Sequence, residues 1–444
     1  MTTNIIFLVI DSFRSDRFFG SDRSCKTPNI DSLINRGLYC KNTIGGADST
    51  GIAIGNCITG KYSFKNGINQ IDLNSKTTTL FDILKNHGYS LYATIPKLTW
   101  FTHLTNDFDE CDDFFCANLT QDDLTKKVGS QILKRLDNKQ MKEPWFYYIH
   151  LADLHQKIIV PEDFDNKKFG NTKYDRMVSC IDDWIGRILN HIDLNNTLLV
   201  ITADHGDYIP VIQEFGEISF IKKIMKKTKK YFPFLEPLGL KLFISLRDYS
   251  KKSQIKQMKK TLSKEEIRSL TPRCGKELYD EALRVPLLFV GDRIQKPVIL
   301  ENLVGGVDIF STILSLVDIK HQKSELDGRD LSIIFKSKKI IEKPLYIESS
   351  NNEEFRDGFL EGIRTSKFKY LRAKEDPKKF VTLFNMDKDP NEFHNISNDE
   401  PEIIKEMEKL LHEIKNQNIM KPESDIPSED EEKIRQELKK MGYI

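Results

Sequence analysis

Short apolar runs of strand length alternate with helix-like segments along most of this chain, and this pattern limits its fold more than any other feature. The clearest runs are residues 5–10, 90–95, 145–150, 198–202 and 285–290, and helical patterns lie between them at 79–87 and 174–192. Such alternation is typical of a mostly parallel sheet with helices on both faces. We therefore predict an α/β fold.

The pattern changes after about residue 320. Short strands with turns are predicted at 344–348, 359–365, 367–372 and 381–385, before helices at 401–416 and 428–438. These segments predict a catalytic domain at 1–320, a smaller C-terminal α+β subdomain at 321–416 and a charged tail at 417–444. The stretch 102–123, which is rich in Asp and aromatic residues, is predicted to be a loop.

Residues 208–272 interrupt the alternation and contain a dense basic cluster. Its lysines are Lys222, Lys223, Lys226, Lys227, Lys229 and Lys230. Apolar residues fall between them at helical spacing, so an amphipathic helix is predicted. This segment is either a surface helix docked on its own core, or a lid that meets an anionic substrate or, through 218–235, a lipid surface.

The overall composition indicates a packed protein rather than a disordered one. The chain has 444 residues, is 39% hydrophobic and carries a formal net charge of +1, so no whole-protein attraction to nucleic acid is expected. Its seven Cys show no disulfide-scaffold or zinc-knuckle spacing. With no signal-peptide pattern at the N-terminus, we expect a reduced, cytoplasmic protein, with possible membrane association through 218–235.

An Asp-His pair follows the apolar run at 198–202. Asp204 and His205 precede Gly206, and open α/β sheets place their ligand sites at the carboxyl ends of strands. A sharp turn at Gly206 would allow both side chains to reach one cation. Alone, the pair fits a helix cap and a surface histidine equally well.

Three other segments supply polar residues at comparable positions. Asp11 ends the first apolar run, and Asp153 and His155 follow the run at 145–150. Thr50 precedes a predicted helix, where it is either an N-cap or a nucleophile whose alkoxide the helix N-terminus stabilises. Such clusters at several strand ends are less probable by chance than any one of them.

Here the chain resembles the sulfatase family of the alkaline phosphatase superfamily. The matching motifs are residues 4–11, 27–33, 59–62, 202–207, 276–286, 327–331 and 383–392, and they occur in the family's order. The resemblance implies an alkaline-phosphatase-like α/β/α sandwich. It also implies a divalent metal site formed by Asp11, Asp204 and His205, with the nucleophile Thr50 touching the metal.

The residues after Thr50 depart from the family pattern. Sulfatases carry a Cys or Ser matured to formylglycine within Cys/Ser-x-Pro-x-Arg, whereas residues 50–54 read Thr-Gly-Ile-Ala-Ile. The resemblance therefore implies an unmodified Thr50 nucleophile, as in related phosphodiesterases and phosphotransferases, with Ser49 as an alternative. We predict a metal-dependent hydrolase or transferase of phosphate esters. The alternatives are a sulfuric ester hydrolase and a non-catalytic protein that binds an anionic glycan or lipid.

The resemblance also implies roles for residues around the reacting ester. His155 is predicted to protonate the leaving group or bind the anion, and Asp153, Lys97 and Lys276 to bind substrate. Cys274 is either a soft metal ligand or an ordinary buried Cys. Because the family's second set of ligands is incomplete, we expect one ion, Mg²⁺, Mn²⁺, Ca²⁺ or Zn²⁺. The expected partner is an anionic ester: a small molecule, a glycan or a lipid head group.

Overall fold

The computed structural model describes residues 3–73, 77–115, 124–137, 141–155, 158–209, 259–270, 277–322, 325–336, 339–350, 359–416 and 428–440. The chain divides into two compact units, Met1–Asp207 with Arg273–Ile444, and Tyr208–Pro272. The strands are β1 Asn4–Ile10, β2 Leu38–Ile44, β3 Ser90–Pro96, β4 Glu110–Phe114, β5 Trp145–Leu151, β6 Thr197–Thr202, β7 Arg284–Val285, β8 Leu287–Val290, β9 Val298–Gly305, β10 Leu345–Glu348, β11 Leu360–Arg364, β12 Phe368–Ala373 and β13 Thr382–Asn385.

The helices are α1 Ser15–Phe18, α2 Pro28–Ile34, α3 Thr50–Thr59, α4 Ser63–Asn66, α5 Leu80–Asn86, α6 Thr99–Leu104, α7 Gly129–Asp137, α8 Lys173–Leu189, α9 Lys264–Arg268, α10 Asp280–Leu283, α11 Asp308–Leu316, α12 Pro401–Lys415 and α13 Ser428–Lys440. No helix in these described ranges is both long and apolar enough to cross a membrane.

A nine-stranded sheet forms the centre of the larger unit. Its order is β4-β3-β5-β1-β6-β8-β2-β7, and β9 also pairs with β2. The pairs from β4 to β6 are parallel, whereas β8 runs antiparallel to both β6 and β2. The prediction of a mostly parallel sheet is therefore confirmed.

Helices cover this sheet because both of its faces are apolar. All seven residues of β1 are buried, so its alternating side chains need cover on each side. On one face, β1 shares a core with α3, α5, α6 and α11. Among the remaining helices, α8 packs with α1, α2 and α7. The result is the predicted α/β/α arrangement.

A second sheet lies in the C-terminal part of the same unit. Strands β10, β11, β12 and β13 form an antiparallel sheet in chain order. Met407 and Leu411 of α12 are buried against Tyr346, Ile363 and Tyr370 of these strands. The short-strand pattern and the helix predicted at 401–416 are both confirmed.

The charged C-terminal segment forms α13, as predicted from its pattern. Ile434 and Leu438, the buried apolar residues of this helix, belong to the main core rather than to the core of the second sheet. Glu437 accepts hydrogen bonds from Thr99 N (2.8 Å) and Thr99 Oγ1 (3.0 Å) at the start of α6. The C-terminal helix therefore packs on the core of the large sheet.

Two local expectations were wrong. Residues 110–114, within the predicted loop, form the edge strand β4, whose charged side chains are compatible with an edge because much of it faces solvent. The run at 285–290 is two strands rather than one, because Pro286 between β7 and β8 has no N–H to donate.

The basic cluster and the whole segment 218–235 lie outside the described residues. In the described part of the smaller unit, α9 begins at a capping box in which Ser263 and Glu266 bond each other's backbone N–H groups. The predictions of a lid and of lipid contact therefore stay predictions.

Candidate active site

The central strand β1 has β5 and β6 as its two neighbours, and this order positions the candidate site. All three strands are parallel, so their carboxyl ends meet at one edge of the sheet. Asp11 follows β1 and its N–H bonds Leu151 O at 2.8 Å. Asp204 and His205 follow β6. Asp11 and Asp204 therefore lie at the same edge of the sheet.

Asp11, Asp204 and His205 form a buried cluster of possible metal ligands. One ligand atom from each lies within 4.8 Å of the others. His205 Nε2 lies 3.6 Å from Asp11 Oδ1 and 3.5 Å from Asp204 Oδ2. All three side chains are at most 3% exposed, so water provides little screening of the two carboxylates.

The hydrogen bond on the other side of the imidazole fixes its tautomer. His205 Nδ1 lies 2.9 Å from Gly206 O, and since a carbonyl only accepts, Nδ1 carries the proton. In its neutral form, the form that binds a metal, the ring directs its Nε2 lone pair at two carboxylate oxygens. Lone pairs arranged in this way are favourable only with a cation among them. The donor set therefore fits a divalent metal ion.

Thr50 completes this cluster from a different element. It is the first residue of α3, and its Oγ1 lies 3.5 Å from His205 Nε2. The first backbone hydrogen bond of α3 runs from Ala53 N to Ser49 O, so the amides before Ala53 precede the helical ladder. A helix start of this kind attracts anions. The hydroxyl thus lies between the proposed metal ligands and an anion-binding helix terminus.

The loop before Thr50 is attached to the C-terminal sheet. Asp48 Oδ1 accepts a hydrogen bond of 2.6 Å from Ser350 N, and Ala47 forms an isolated parallel bridge with Glu348. Gly46 has a φ of 96°, and a Cβ there would lie 2.6 Å from Asn56 Nδ2. The residue is therefore glycine for both conformational and steric reasons.

Gly206 is required for a different reason from the one expected. It is not among the residues with positive φ. Instead, a Cβ at this position would lie only 2.1 Å from Glu281 O, and the Gly206 N–H donates to Ala282 O at 2.8 Å. Close packing against α10, rather than a left-handed turn, directs His205 into the site.

Ser12 links the two carboxylates and was not identified from the sequence. Its N–H donates to Asp204 Oδ1 (3.2 Å) and its hydroxyl to Asp11 Oδ1 (2.8 Å). The residue has φ 62°, a left-handed backbone that costs a non-glycine residue about 1 kcal/mol. In the sequence, the only sign of this role is a serine directly after the Asp that ends β1. The strained backbone of Ser12 becomes visible only in the three-dimensional structure.

The surrounding histidines keep Asp11 ionised. Burial alone would raise the pKa of this carboxyl. Favourable electrostatic interactions with the imidazoles of His155, His150 and His205 outweigh that effect and hold the pKa well below its usual range. Asp11 therefore remains a carboxylate, the form that binds a metal.

His155 and Asp153 follow β5, on the other side of β1. The ring centroids of His155 and His205 are 6.3 Å apart, which brings His155 to the cluster. Asp153 Oδ1 accepts a hydrogen bond of 3.0 Å from Leu124 N and so supports the turn of π-helix at Leu124–Val128. The substrate-binding role of Asp153 stays a prediction.

The two predicted substrate-binding lysines are not brought to the cluster by the described structure. Lys97 Nζ pairs with Asp113 Oδ2 at 3.1 Å and lies 5.3 Å from the Phe115 ring centroid, with half of its side chain exposed. Lys276 lies outside the described residues, as does Cys274. Their roles also stay predictions.

Two family models match the chain. The sulfatase model matches residues 3–319, and the model described as "N-sulphoglucosamine sulphohydrolase, C-terminal" matches residues 275–417. An N-acetylgalactosamine-6-O-sulfatase of Bacteroides thetaiotaomicron is 21% identical over 359 residues, which cover 74% of this chain. The match covers 57% of that relative's own length.

Solved structures share the fold at low sequence identity. BT4656, in complex with its substrate D-glucosamine-2-N,6-O-disulfate, superposes with a TM-score of 0.65 at 17% identity, covering 94% of this chain and 98% of its own. A phosphonate monoester hydrolase of Agrobacterium radiobacter also gives 0.65, at 15% identity, covering 94% of this chain and 96% of its own.

The similarity to these solved structures supports the fold, whereas the match to the sulfatase model also establishes the family. It covers well over half of the chain and includes Asp11, Thr50, Asp204 and His205. The expectation drawn from the motifs is thereby confirmed. The chain belongs to the sulfatase family.

Proposed function

We propose that this protein is a metal-dependent hydrolase that cleaves a sulfate ester of an anionic substrate with Thr50 as nucleophile. The observation that carries the proposal is the position of Thr50 Oγ1, 3.5 Å from Nε2 of His205, the residue that clusters with the carboxylates of Asp11 and Asp204. Family membership supports the sulfate ester over the phosphate ester, which ranked first from the sequence alone.

Asp11, Asp204, His205 and Thr50 would hold one divalent ion. Such an ion lowers the pKa of a bound hydroxyl and neutralises negative charge on the ester oxygens. The two carboxylates favour hard cations such as Ca²⁺, Mg²⁺ or Mn²⁺, while the imidazole nitrogen is also compatible with Zn²⁺. Sulfatases bind a divalent metal, which supports the site without naming its ion here.

The reaction follows from the positions of the chain's own groups. The Thr50 hydroxyl gives its proton to water, and its oxygen attacks sulfur to form a Thr50 sulfate ester, while the bond from sulfur to the leaving oxygen breaks. His155 donates a proton to that oxygen, and an alcohol leaves. Amides of the first turn of α3 hold the non-bridging oxygens. Water then hydrolyses the Thr50 ester and releases sulfate.

The substrate class follows from the relatives' chemistry. The named relative acts on the 6-O-sulfate of N-acetylgalactosamine, and BT4656 binds a disulfated glucosamine. A sulfated sugar is therefore the first class to test, with small aryl esters as simple probes. Contact of the basic segment 218–235 with a lipid surface, and a cytoplasmic location, remain proposals from the sequence.

Phosphate ester hydrolysis is the second candidate, and one residue favours it. Counted back from the Thr59-Gly60 motif, Thr50 corresponds to the Cys or Ser that sulfatases convert to formylglycine. A plain hydroxyl forms a phosphoryl ester readily, and this favours phosphomonoesters, phosphodiesters or transfer of the phosphoryl group to a second alcohol.

Substrate comparison distinguishes the two candidates. Metal-stripped protein is supplied in turn with Mg²⁺, Mn²⁺, Ca²⁺ and Zn²⁺ and tested on aryl sulfate, aryl phosphate and bis-aryl phosphate. We expect the highest kcat/KM on the sulfate. A phosphate or phosphodiester preference of tenfold or more would replace the first candidate with the second.

Variants of Thr50 test the nucleophile in the same assay. Thr50→Ala should lower kcat by at least about 100-fold, because the attacking oxygen is gone. Thr50→Ser keeps the hydroxyl and serves as the matched control, with a loss of about tenfold or less. Activity that survives Thr50→Ala would exclude Thr50 as nucleophile and direct attention to Ser49.

A further inference from the structure

His150 is a buried histidine next to the candidate site that has no role so far. It lies on β5, level with Val9 of β1, and its side chain is 0% exposed. Its Nε2 lies 3.8 Å from Asp11 Oδ2 and has no hydrogen-bond partner within the described part of the chain. A buried polar nitrogen of this kind needs an explanation.

The groups on either side of the His150 ring fix which nitrogen carries the proton. Tyr148 lies two residues earlier on the same face of β5, and its hydroxyl is 2.8 Å from His150 Nδ1. Burial, followed by the nearby carboxylates of Asp204 and Asp11, raises the pKa of Tyr148 well above its usual value, so the phenol is neutral. The Asp11 carboxylate that faces Nε2 can only accept, so Nε2 carries the His150 proton and the phenol donates to the remaining lone pair on Nδ1.

The ring is also held by packing. Phe101 of α6 contacts it edge to face, with ring centroids 4.6 Å apart. With Tyr148 on one nitrogen and Phe101 against the ring, the Nε2–H stays directed toward Asp11. The 3.8 Å separation is longer than a hydrogen bond, and contacts of this kind often shorten when a catalytic site is loaded.

We propose that His150 is a positioning residue that orients the Asp11 carboxylate for metal binding, with Tyr148 holding the required tautomer. The inference rests on the proposed function, because Asp11 acts there as a metal ligand. Groups that orient ligands in this way commonly change metal affinity by about 10- to 100-fold when they are removed. The interaction lies outside the four ligating residues and adds no charge to them.

Calorimetric titration of metal-stripped protein with Ca²⁺, Mg²⁺, Mn²⁺ and Zn²⁺ tests this role directly. His150→Leu removes the donor, whereas His150→Gln places an amide N–H near the position of Nε2. We expect His150→Leu to weaken binding of the tightest ion by about 10- to 100-fold. His150→Gln should stay within about threefold of the wild type.

A second pair of variants separates positioning from packing. Tyr148→Phe removes the hydroxyl that faces His150, and Tyr147→Phe removes the hydroxyl of the adjacent, equally buried tyrosine. Tyr147 OH bonds Thr94 Oγ1 at 2.7 Å, and Tyr147 lies on the opposite face of β5 from His150. Tyr148→Phe should weaken metal binding at least about threefold, whereas Tyr147→Phe should leave it unchanged.

The possible outcomes are distinct. Unchanged affinity in His150→Leu, equal losses in the Leu and Gln variants, or equal losses in the two Tyr variants would each overturn the proposal. Thermal unfolding of the metal-free proteins reports whether each variant folds. If His150→Leu does not fold, the comparison of Tyr148→Phe with Tyr147→Phe tests the proposal instead. A wild type that binds none of the ions contradicts the proposed metal site itself.

Discussion

Four buried charged side chains connect α10 to the C-terminal sheet. Lys369 Nζ, with a fully buried side chain, lies 3.0 Å from Asp280 Oδ1 and 2.7 Å from Glu392 Oε1. Arg364 Nη2 contacts Asp280 Oδ2 at 3.2 Å. Asp280 belongs to α10, whose neighbouring Glu281 carbonyl packs against Gly206. Individual ionic contacts therefore attach the second sheet to a segment adjacent to the candidate site.

Glu392 makes the stability of this cluster dependent on pH. Burial, together with the charge of Asp280, raises its pKa from 4.5 to about 7, although Lys369 opposes the shift. A carboxyl with a raised pKa in the folded state takes up a proton on folding. Its contribution to stability is therefore present below about pH 4.5 and is lost as the pH rises through about 7.

Glu392→Gln should remove this dependence. We expect the free energy of unfolding of the wild type to fall relative to the variant between about pH 5 and about pH 8, by up to about 3 kcal/mol. Urea denaturation at several pH values measures it. Parallel curves for the two proteins across this range would show that Glu392 keeps its ordinary pKa.

At the scale of elements, α13 supports α6. Glu437 provides two hydrogen bonds to Thr99 at the N-terminus of α6, where backbone amides otherwise lack partners. The same α6 carries Phe101, which packs on His150. The C-terminal helix is thus connected through one short helix to the residues around Asp11.

Glu437→Ala should destabilise the protein by about 1–2 kcal/mol, because it removes an N-terminal cap of α6. Glu432→Ala is the matched control on the same helix, since Glu432 is exposed and bonds only Gln436 among the described contacts. The control should change the free energy of unfolding by less than about 0.5 kcal/mol. Chemical denaturation measures both changes. If the two variants lose the same free energy of unfolding, Glu437 contributes only as a negative charge on α13 and not through its bonds to Thr99.

At the scale of the whole molecule, the basic insertion is the main unassigned feature. The six lysines of its basic cluster lie within residues 222–230, outside the described structure. Within a protein of near-zero net charge, such a cluster is a local attraction for anions. The cluster is therefore suited either to binding an anionic substrate or to attaching the protein to an acidic surface.

Deletion of residues 218–260 should lower kcat/KM on large sulfated glycans or lipid-linked esters by about tenfold and on a small aryl ester by less than about twofold. Replacement of the six lysines by Gln, with the chain length kept, tests whether charge alone accounts for the loss. Steady-state kinetics on both substrate classes measures it. An equal loss on large and small substrates would contradict a recognition role.

The sequence by itself determined the fold class and most of the candidate site. Period and length of the apolar runs predicted the strands, and polar residues directly after them marked Asp11, Asp204 and His205. This works because parallel strands end at one sheet edge, so residues after successive strands meet there. Ordered motifs then identified the family, although they ranked the ester chemistry differently from the comparisons.

Only the tertiary structure decided which strands are neighbours and which buried groups act on one another. The order β5-β1-β6 brings His150 beside Asp11, and nothing local to either residue reveals that contact. The same is true of the left-handed Ser12, of β4 among acidic residues and of α13 on the main core. These features depend on contacts between residues far apart in the chain, whereas sequence patterns report the preferences of neighbouring residues.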